Sequence, residues 1–428
     1  MFKKLFSNSL IKDSFIYTVF NGINGLIPFI LLPVLTSYLT PNDYGIVALY
    51  KTNILLIYPF IGLCMGFYID KNFFKVSKDY LAKQIGNILI IQVFLLLLFT
   101  IVFYLISLFY DLSFIGFQIH WLFIIPLVCF LFSFNEYNLI ILRNQSKAFG
   151  YGYWQILHTI INLSLTLFFI ISLSYGWEGR ALGIVIAQIV IGLASFKNMK
   201  NSGFIKVQFD KNEIKEILSL CLPLVLHGFA TYIIFQSNFY FIKMNVGLTS
   251  VGIFSVALAF SSIMGMIKDG LAKTINPWIY KNLNVSSDID LFKIKITKLF
   301  AVLSLALILF NIIITVFSKL VIKYFLDEKY IEASNLVFIL ITAISLYVLY
   351  GILCSFFVHF SKTNLLSKIT VFTALISLGL NYILSLKFGL IGSCYALLLA
   401  MTFQLITTYY FCTKFFPFSL TFKTNKHV

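Results

Sequence analysis

Leu39-Thr40-Pro41-Asn42-Asp43-Tyr44-Gly45-Ile46 separates two apolar stretches, residues 15–38 and 44–68, and a shortened copy, Leu248-Thr249-Ser250-Val251-Gly252-Ile253, separates 218–243 from 248–268. Each flanking run is about as long as the roughly 20 apolar residues that a helix needs to cross a bilayer. Two further pairs extend the match: Ser146-Lys147 with Ser361-Lys362, and Tyr175-Gly176 ahead of Gly179 with Phe388-Gly389 ahead of Gly392. The offsets are 207 residues from Gly45 to Gly252, 215 from Lys147 to Lys362 and 213 from Gly176 to Gly389. One unit therefore occurs twice in tandem.

Runs of the same kind fill the rest of the chain, near 85–110, 121–141, 151–174 and 177–196 in the first copy and 295–317, 331–357, 367–386 and 389–411 in the second. The composition agrees: of 428 residues 60% are hydrophobic and 11% charged, and the mean hydropathy is +0.94. No segment is left for a separate soluble domain. The predicted fold is an all-α integral membrane protein of about twelve transmembrane helices in two pseudo-symmetric six-helix lobes, residues 1–205 and 206–428.

Six spans per copy is an even number, so both copies share one orientation, and the two chain ends share one side. Lys and Arg accumulate in short cytoplasmic loops. Of the 32 present, 25 fall on the side of the chain ends and 6 on the other, with Lys51 inside a span. Both termini are expected in the cytoplasm. Because the basic residues lie in short loops between apolar runs, the net charge of +16 reflects topology and calls for no nucleic acid partner. Lys3 and Lys4 ahead of an apolar stretch imitate a signal peptide, but the stretch is long and lacks an Ala-x-Ala end, so it reads as an uncleaved first helix. The six cysteines form no Cys-x-x-Cys or Cys/His cluster, and no metal site is expected. Trp121, Trp154, Trp177 and Trp278 lie near span ends, where tryptophan anchors helices at the interface.

Parallel repeats place a substrate path between the halves, and interrupted helices at corresponding positions point to it. Span 1 carries Asn21, Gly22, Asn24, Gly25, Pro28 and Pro33, and span 7 carries Pro223, His227, Gly228, Gln236 and Asn238. A lysine in mid-span costs about 2.5–3.5 kcal/mol on insertion scales and faces an interior or a water-filled cavity. Lys51 is in this position. Tyr44, Lys51 and Tyr58 recur every seven residues on one face of span 2, beside Asn53. On span 8, Lys268 sits in a stripe of small residues, with Lys273 nearer the inner mouth. Snorkelling or structural pairing of these lysines is the competing reading. Glu136 is the most deeply placed acid, either a site for a coupling H+ or Na+ or half of a buried ion pair. His158, His227 and His359 are isolated in apolar spans, where packing or hydrogen bonding is favoured over a proton relay.

The chain resembles the polysaccharide transporters and O-antigen flippases of the multidrug, oligosaccharidyl-lipid and polysaccharide exporter superfamily. The carriers are Leu31-Leu32-Pro33-Val34-Leu35-Thr36, Tyr38-Leu39-Thr40-Pro41 with Asp43-Tyr44-Gly45, Leu222-Pro223, Val251-Gly252-Ile253-Phe254-Ser255-Val256-Ala257, Tyr330-Ile331-Glu332-Ala333 and Phe388-Gly389-Leu390-Ile391-Gly392. Where many relatives have an Asp-Arg pair late in span 7, this chain has Asn238-Phe239, so no role for such a pair carries over. The resemblance implies a MATE-like transporter of the bacterial inner membrane, without cofactor or catalytic residues, that flips an undecaprenyl-diphosphate-linked oligosaccharide by alternating access. Implied partners are membrane lipids and the polysaccharide polymerase and chain-length machinery. Lys51, with Lys268 or Lys273, would meet the diphosphate, and Asn21, Asn24, Tyr44, Asn53 and Tyr58 the sugar hydroxyls. Two other readings stay open: a cation-coupled multidrug exporter, although span 1 has no acid within it, and a membrane polymerase or glycosyltransferase, although the outer loops are short and lack paired carboxylates.

Overall fold

The computed structural model describes residues 16, 20, 22–25, 27, 31–109, 116–285 and 289–418. Among them the chain is helical, with no strand. The elements are α1 (Leu32–Tyr38), α2 (Pro41–Gly62), α3 (Met65–Asn72), α4 (Lys78–Phe109), α5 (Ile119–Asn144), α6 (Ala148–Leu167, prolonged by a π turn, Phe168–Ser172), α7 (Gly176–Asn201), α8 (Lys211–Asn245), α9 (Leu248–Ser261), α10 (Ile263–Val285), α11 (Ile289–Phe325), α12 (Ala333–His359) and α13 (Thr363–Phe415). At 53 residues α13 is two helices joined at Gly389, whose φ of 59° and ψ of −136° are not helical. Gly176 and Gly389, the glycines paired by the repeat, both have positive φ, a conformation glycine adopts without a Cβ penalty.

The repeated turn motif is a helix start. Thr40 caps α2: its hydroxyl accepts from the Asp43 N–H at 3.2 Å, and the Asp43 carboxylate accepts from the Thr40 N–H at 3.1 Å. Pro41 then takes a first-turn position where no N–H is missed. Span 2 does not continue as one rod. Leu63 (φ 46°) and Cys64 (φ 53°) are both left-handed and part α2 from α3, a conformation that costs an L-residue roughly 1–2 kcal/mol. The corresponding span of the second half is interrupted at Ser262, with right-handed backbone. The breaks thus fall in spans 2 and 8, whereas α8 runs unbroken through Pro223. A proline inside a membrane helix is tolerated where neighbouring groups satisfy the freed carbonyl.

The chain forms two compact units, residues 1–232 and 233–428, with the division inside α8. In the first unit Met65, Tyr68 and Ile69 of α3 pack with Leu81, Ile85 and Ile88 of α4 and with Phe134 and Tyr137 of α5. In the second, Phe292 and Ile296 of α11 pack with Phe356 and Phe357 of α12 and with Phe416. The most apolar spans, α4 and α11, are also among the least covered by protein. Phe94, Leu97, Ile101 and Leu105 point outward on one, and Leu305, Ile308, Ile312 and Val316 on the other. Such faces suit a solvent of lipid chains. Trp121, expected as an interfacial anchor, is instead buried against Tyr50 and Trp177.

The unit boundary lies 27 residues beyond residue 205 because the connecting segment is clamped to the first unit. The Lys206 N–H donates to the Ala82 carbonyl at 3.0 Å, and Lys206 Nζ pairs with Asp79 at 3.0 Å. A Cβ on Gly86 would lie 2.1 Å from the Lys206 carbonyl oxygen, so only glycine admits this approach. Asp210 caps α8 through the Asn212 and Glu213 N–H groups. Glu213, 6% exposed, accepts from Tyr68 Oη at 2.9 Å, Tyr80 Oη at 2.5 Å and Gln84 Nε2 at 2.8 Å. Removing the acceptor takes a partner from Tyr68 and Gln84, both buried, and from the exposed Tyr80. Glu213→Ala is expected to destabilise the first unit by about 2–3 kcal/mol and Glu213→Gln by less, read as shifts of the thermal unfolding midpoint of the purified protein.

Candidate functional site

Lys51 stands ten residues into α2, about 15 Å along the helix from its start. Its side chain is exposed on a helix half of whose residues are buried. Among the described residues it forms no ion pair with a carboxylate. A second cation, Arg180 on α7, acts electrostatically on Lys51, on Tyr44 and on His158 of α6.

Arg180 looks like a span-end residue in the sequence, in Glu178-Gly179-Arg180. It is 8% exposed, and its Nη1 donates to Asn162 Oδ1 and Thr166 Oγ1 of α6, both at 2.6 Å. The approach of α6 and α7 that permits this depends on Gly183, one turn on, where a Cβ would lie 2.3 Å from Thr166 Oγ1 and 2.9 Å from its Cα. The two neutral acceptors orient the guanidinium, and among the described residues no carboxylate pairs with it. Lys51 and Arg180, with the Tyr44 hydroxyl and the His158 imidazole, form a cationic group within the first unit. A signal for Arg180 was present in the sequence, since a cation five residues into a capless helix start must either reach the interface or find polar partners, and Asn162 and Thr166 are polar residues one turn apart.

The face carrying Tyr44, Lys51 and Tyr58 divides between two surroundings. Tyr44 and Lys51 belong with Arg180. Tyr58 Oη instead donates to Glu136 Oε2 on α5, 78 positions along the chain. Beside that carboxylate lies a cavity of about 300 Å³ lined by Gly66, Phe67, Asp70, Glu136, Leu139, Ile140, Arg143 and Tyr151. Arg143 Nη2 is held by Asp70 Oδ1 at 3.0 Å, and Asn144 Nδ2 donates to the same oxygen at 2.8 Å.

The other expected residues are dispersed. Asn24 Oδ1 accepts from Thr159 Oγ1 of α6. Asn53 is buried, with Nδ2 on the Leu49 carbonyl of its own helix at 2.8 Å. In the second unit Lys268 Nζ lies 4.3 Å from the centre of the Tyr347 ring and 3.9 Å from Asp269 Oδ1. Asn21 and the side chains of Lys273 and His227 lie outside the described residues. Asn238 is fully buried on α8, followed by Phe239 packed on Phe254. All six cysteines are free, and among the described residues no group of His, Cys, Asp and Glu could hold a metal ion.

The polysaccharide biosynthesis protein family matches residues 10–283. An uncharacterised membrane protein of Haemophilus influenzae is 24% identical over 385 residues, covering 87% of this chain and 89% of that one. A protein of the Lsg locus of the same organism is also 24% identical over 385 residues, covering 85% and 88%. Among solved structures, the inward-facing form of a multidrug resistance MATE family transporter superposes with a TM-score of 0.68 at 17% identity, over 94% of each chain. A MATE structure in complex with MaD3S superposes with a TM-score of 0.61 at 18% identity, over 95% of this chain and 96% of that one. These structural likenesses establish the fold: helices arranged as in MATE transporters, in a multi-pass membrane protein. With the family match extending over more than half its length, the chain belongs to the polysaccharide biosynthesis protein family.

Proposed function

We propose that this protein is a flippase that moves an undecaprenyl-diphosphate-linked oligosaccharide from the cytoplasmic to the outer leaflet of a bacterial inner membrane by alternating access. The observation that carries the reading is the cationic pair Lys51 and Arg180 in the first unit, neither of which has a carboxylate partner among the described residues, with Tyr44, His158 and Asn162 about them. A diphosphate leaving water needs cations that are not already neutralised, because charge-assisted hydrogen bonds to phosphate are about twice as strong as neutral ones. The lipid tail stays in hydrocarbon throughout. In this reading Tyr44 and Asn24 meet the sugar hydroxyls. No bond of the cargo is made or broken, so the protein works without catalytic residues, handing its product to polymerase and chain-length machinery. The family match supports this cargo class.

The test is translocation in vesicles of stated composition. Purified protein should carry labelled undecaprenyl-diphosphate oligosaccharide to the opposite leaflet, whereas empty vesicles should not. The fold likeness to a multidrug transporter favours one competing reading, drug export; efflux of cationic drugs without movement of the lipid-linked sugar would establish it in place of flipping.

Orientation has its own test. With both termini and residues 197–217 in the cytoplasm, a single cysteine at Lys206 in a cysteine-free background should react with an impermeant maleimide only after the cytoplasmic face is opened. Labelling from outside intact cells would overturn the assignment.

A further inference from the structure

Glu136 sits in α5 with its carboxylate turned toward the break in span 2. Its two oxygens differ. Oε2 accepts from Tyr58 Oη, while Oε1 lies against α3 at Gly66, 3.1 Å from where a Cβ would be. Gly66 is two residues past Cys64, the second of the two left-handed residues that end α2 and start α3. Left-handed L-residues persist only where surrounding structure holds them, and they cluster at functional sites. Here the break brings Gly66, the residue without a side chain, onto the carboxylate.

The surroundings are charge-imbalanced. The groups that face Glu136 are Tyr58 from α2, Cys64 at the break, Asp70 from α3, Tyr137 and Arg143 from α5 itself, and Tyr151 from α6. Of these, Arg143 is the cation, and it is taken by Asp70 at 3.0 Å. The cavity of about 300 Å³ therefore holds two carboxylates and one guanidinium, with a net charge of −1 when all are ionised. A half-buried carboxylate with a single phenol donor is poorly solvated, and intramembrane acids mark proton or ion pathways. The Glu136 carboxylate, with the Tyr58 hydroxyl on one oxygen and the other turned to the cavity, suits a proton.

We propose that Glu136, with Tyr58 and the cavity beside Gly66 and Asp70, is a proton-binding site that couples transport to the proton gradient. A proton entering through the cavity binds Oε1, converting carboxylate to carboxylic acid and leaving the Tyr58 hydrogen bond on Oε2; release to the other side restores the anion. The coupling half of this proposal rests on the transporter reading. The proton-binding half does not.

Two measurements on the full-length protein separate them. Infrared difference spectra between acid and alkaline pH should show a protonated carboxyl band that disappears in Glu136→Gln and shifts in Glu136→Asp. In vesicles, a one-unit pH gradient biases a one-proton step by about ten-fold, so gradient-driven flipping by the wild type should exceed the gradient-free rate several-fold, and in Glu136→Gln this ratio should fall to one. A carboxyl band unchanged in Glu136→Gln, or equal acceleration of both proteins, overturns the proposal. Acceleration by a sodium gradient at constant pH, in place of a proton gradient, also overturns it. If no lipid-linked sugar moves under any gradient while the band still vanishes in Glu136→Gln, the cargo assignment fails and the proton site stands.

Discussion

Lys51→Ala is expected to lower export of the lipid-linked glycan about ten- to a hundred-fold, the equivalent of losing one hydrogen bond to a charged group worth about 1.5–3 kcal/mol. Protein abundance should not change. Among the described residues the Lys51 ammonium pairs with no carboxylate, so its removal strands no buried partner, and it relieves the repulsion from Arg180. Lys51→Arg should retain part of the activity, since the charge survives although donor geometry differs. Arg180 needs a different variant. Arg180→Ala leaves Asn162 and Thr166 without their donor and would reduce stability and transport together, whereas Arg180→Lys keeps the charge and isolates the geometry. Glycan export in cells lacking the native gene, normalised to protein in the membrane, measures all of these. Normal export by Lys51→Ala at equal abundance would make Lys51 a snorkelling residue and remove the main support for a cationic diphosphate site.

The second large effect is on packing. Gly183→Leu should destabilise the first unit by about 1–3 kcal/mol or more through overpacking, because even its Cβ would fall 2.9 Å from the Thr166 backbone. Neither α6 nor α7 can yield locally, since the contact is backbone to backbone, as at other close helix crossings in membranes. Separation of the two helices would also pull Arg180 from Asn162 and Thr166, so transport should fall with stability. Gly379→Ala is the matched control. Nothing lies within 4 Å of a Cβ there, and replacing a mid-helix glycine by alanine is worth roughly 0.5–1 kcal/mol in favour of the helix. Thermal unfolding midpoints of the three proteins in one detergent decide the point. A Gly183→Leu midpoint equal to that of the wild type would show that α6 and α7 do not touch as described.

Membrane insertion is decided by the sum of side-chain transfer energies along some 20 consecutive residues, so the all-helical, many-span plan is legible in the chain without knowledge of what touches what. The duplication is legible for a similar reason: Thr40 with Asp43 is a capping box, and Gly176 and Gly389 mark turns, all local features carried by adjacent residues. Lys51 stands out because a mid-span ammonium is costly wherever it faces. Partnership is another matter. Tyr58 with Glu136 across 78 positions, Glu213 with Tyr68 across 145, and Arg180 with Asn162 from a separate helix depend on the depth and rotation of each helix, which hydropathy leaves open because lipid and protein interior are similarly apolar. For that reason Arg180 reads as a span end and proves buried, and Asn53, expected to meet sugar hydroxyls, is buried with its amide on its own helix. The break at Leu63 and Cys64 has neither glycine nor proline at its two residues. It is held open by the packing of α3 on α4 and α5, and long-range contacts of that kind leave no trace in the residues at the break itself.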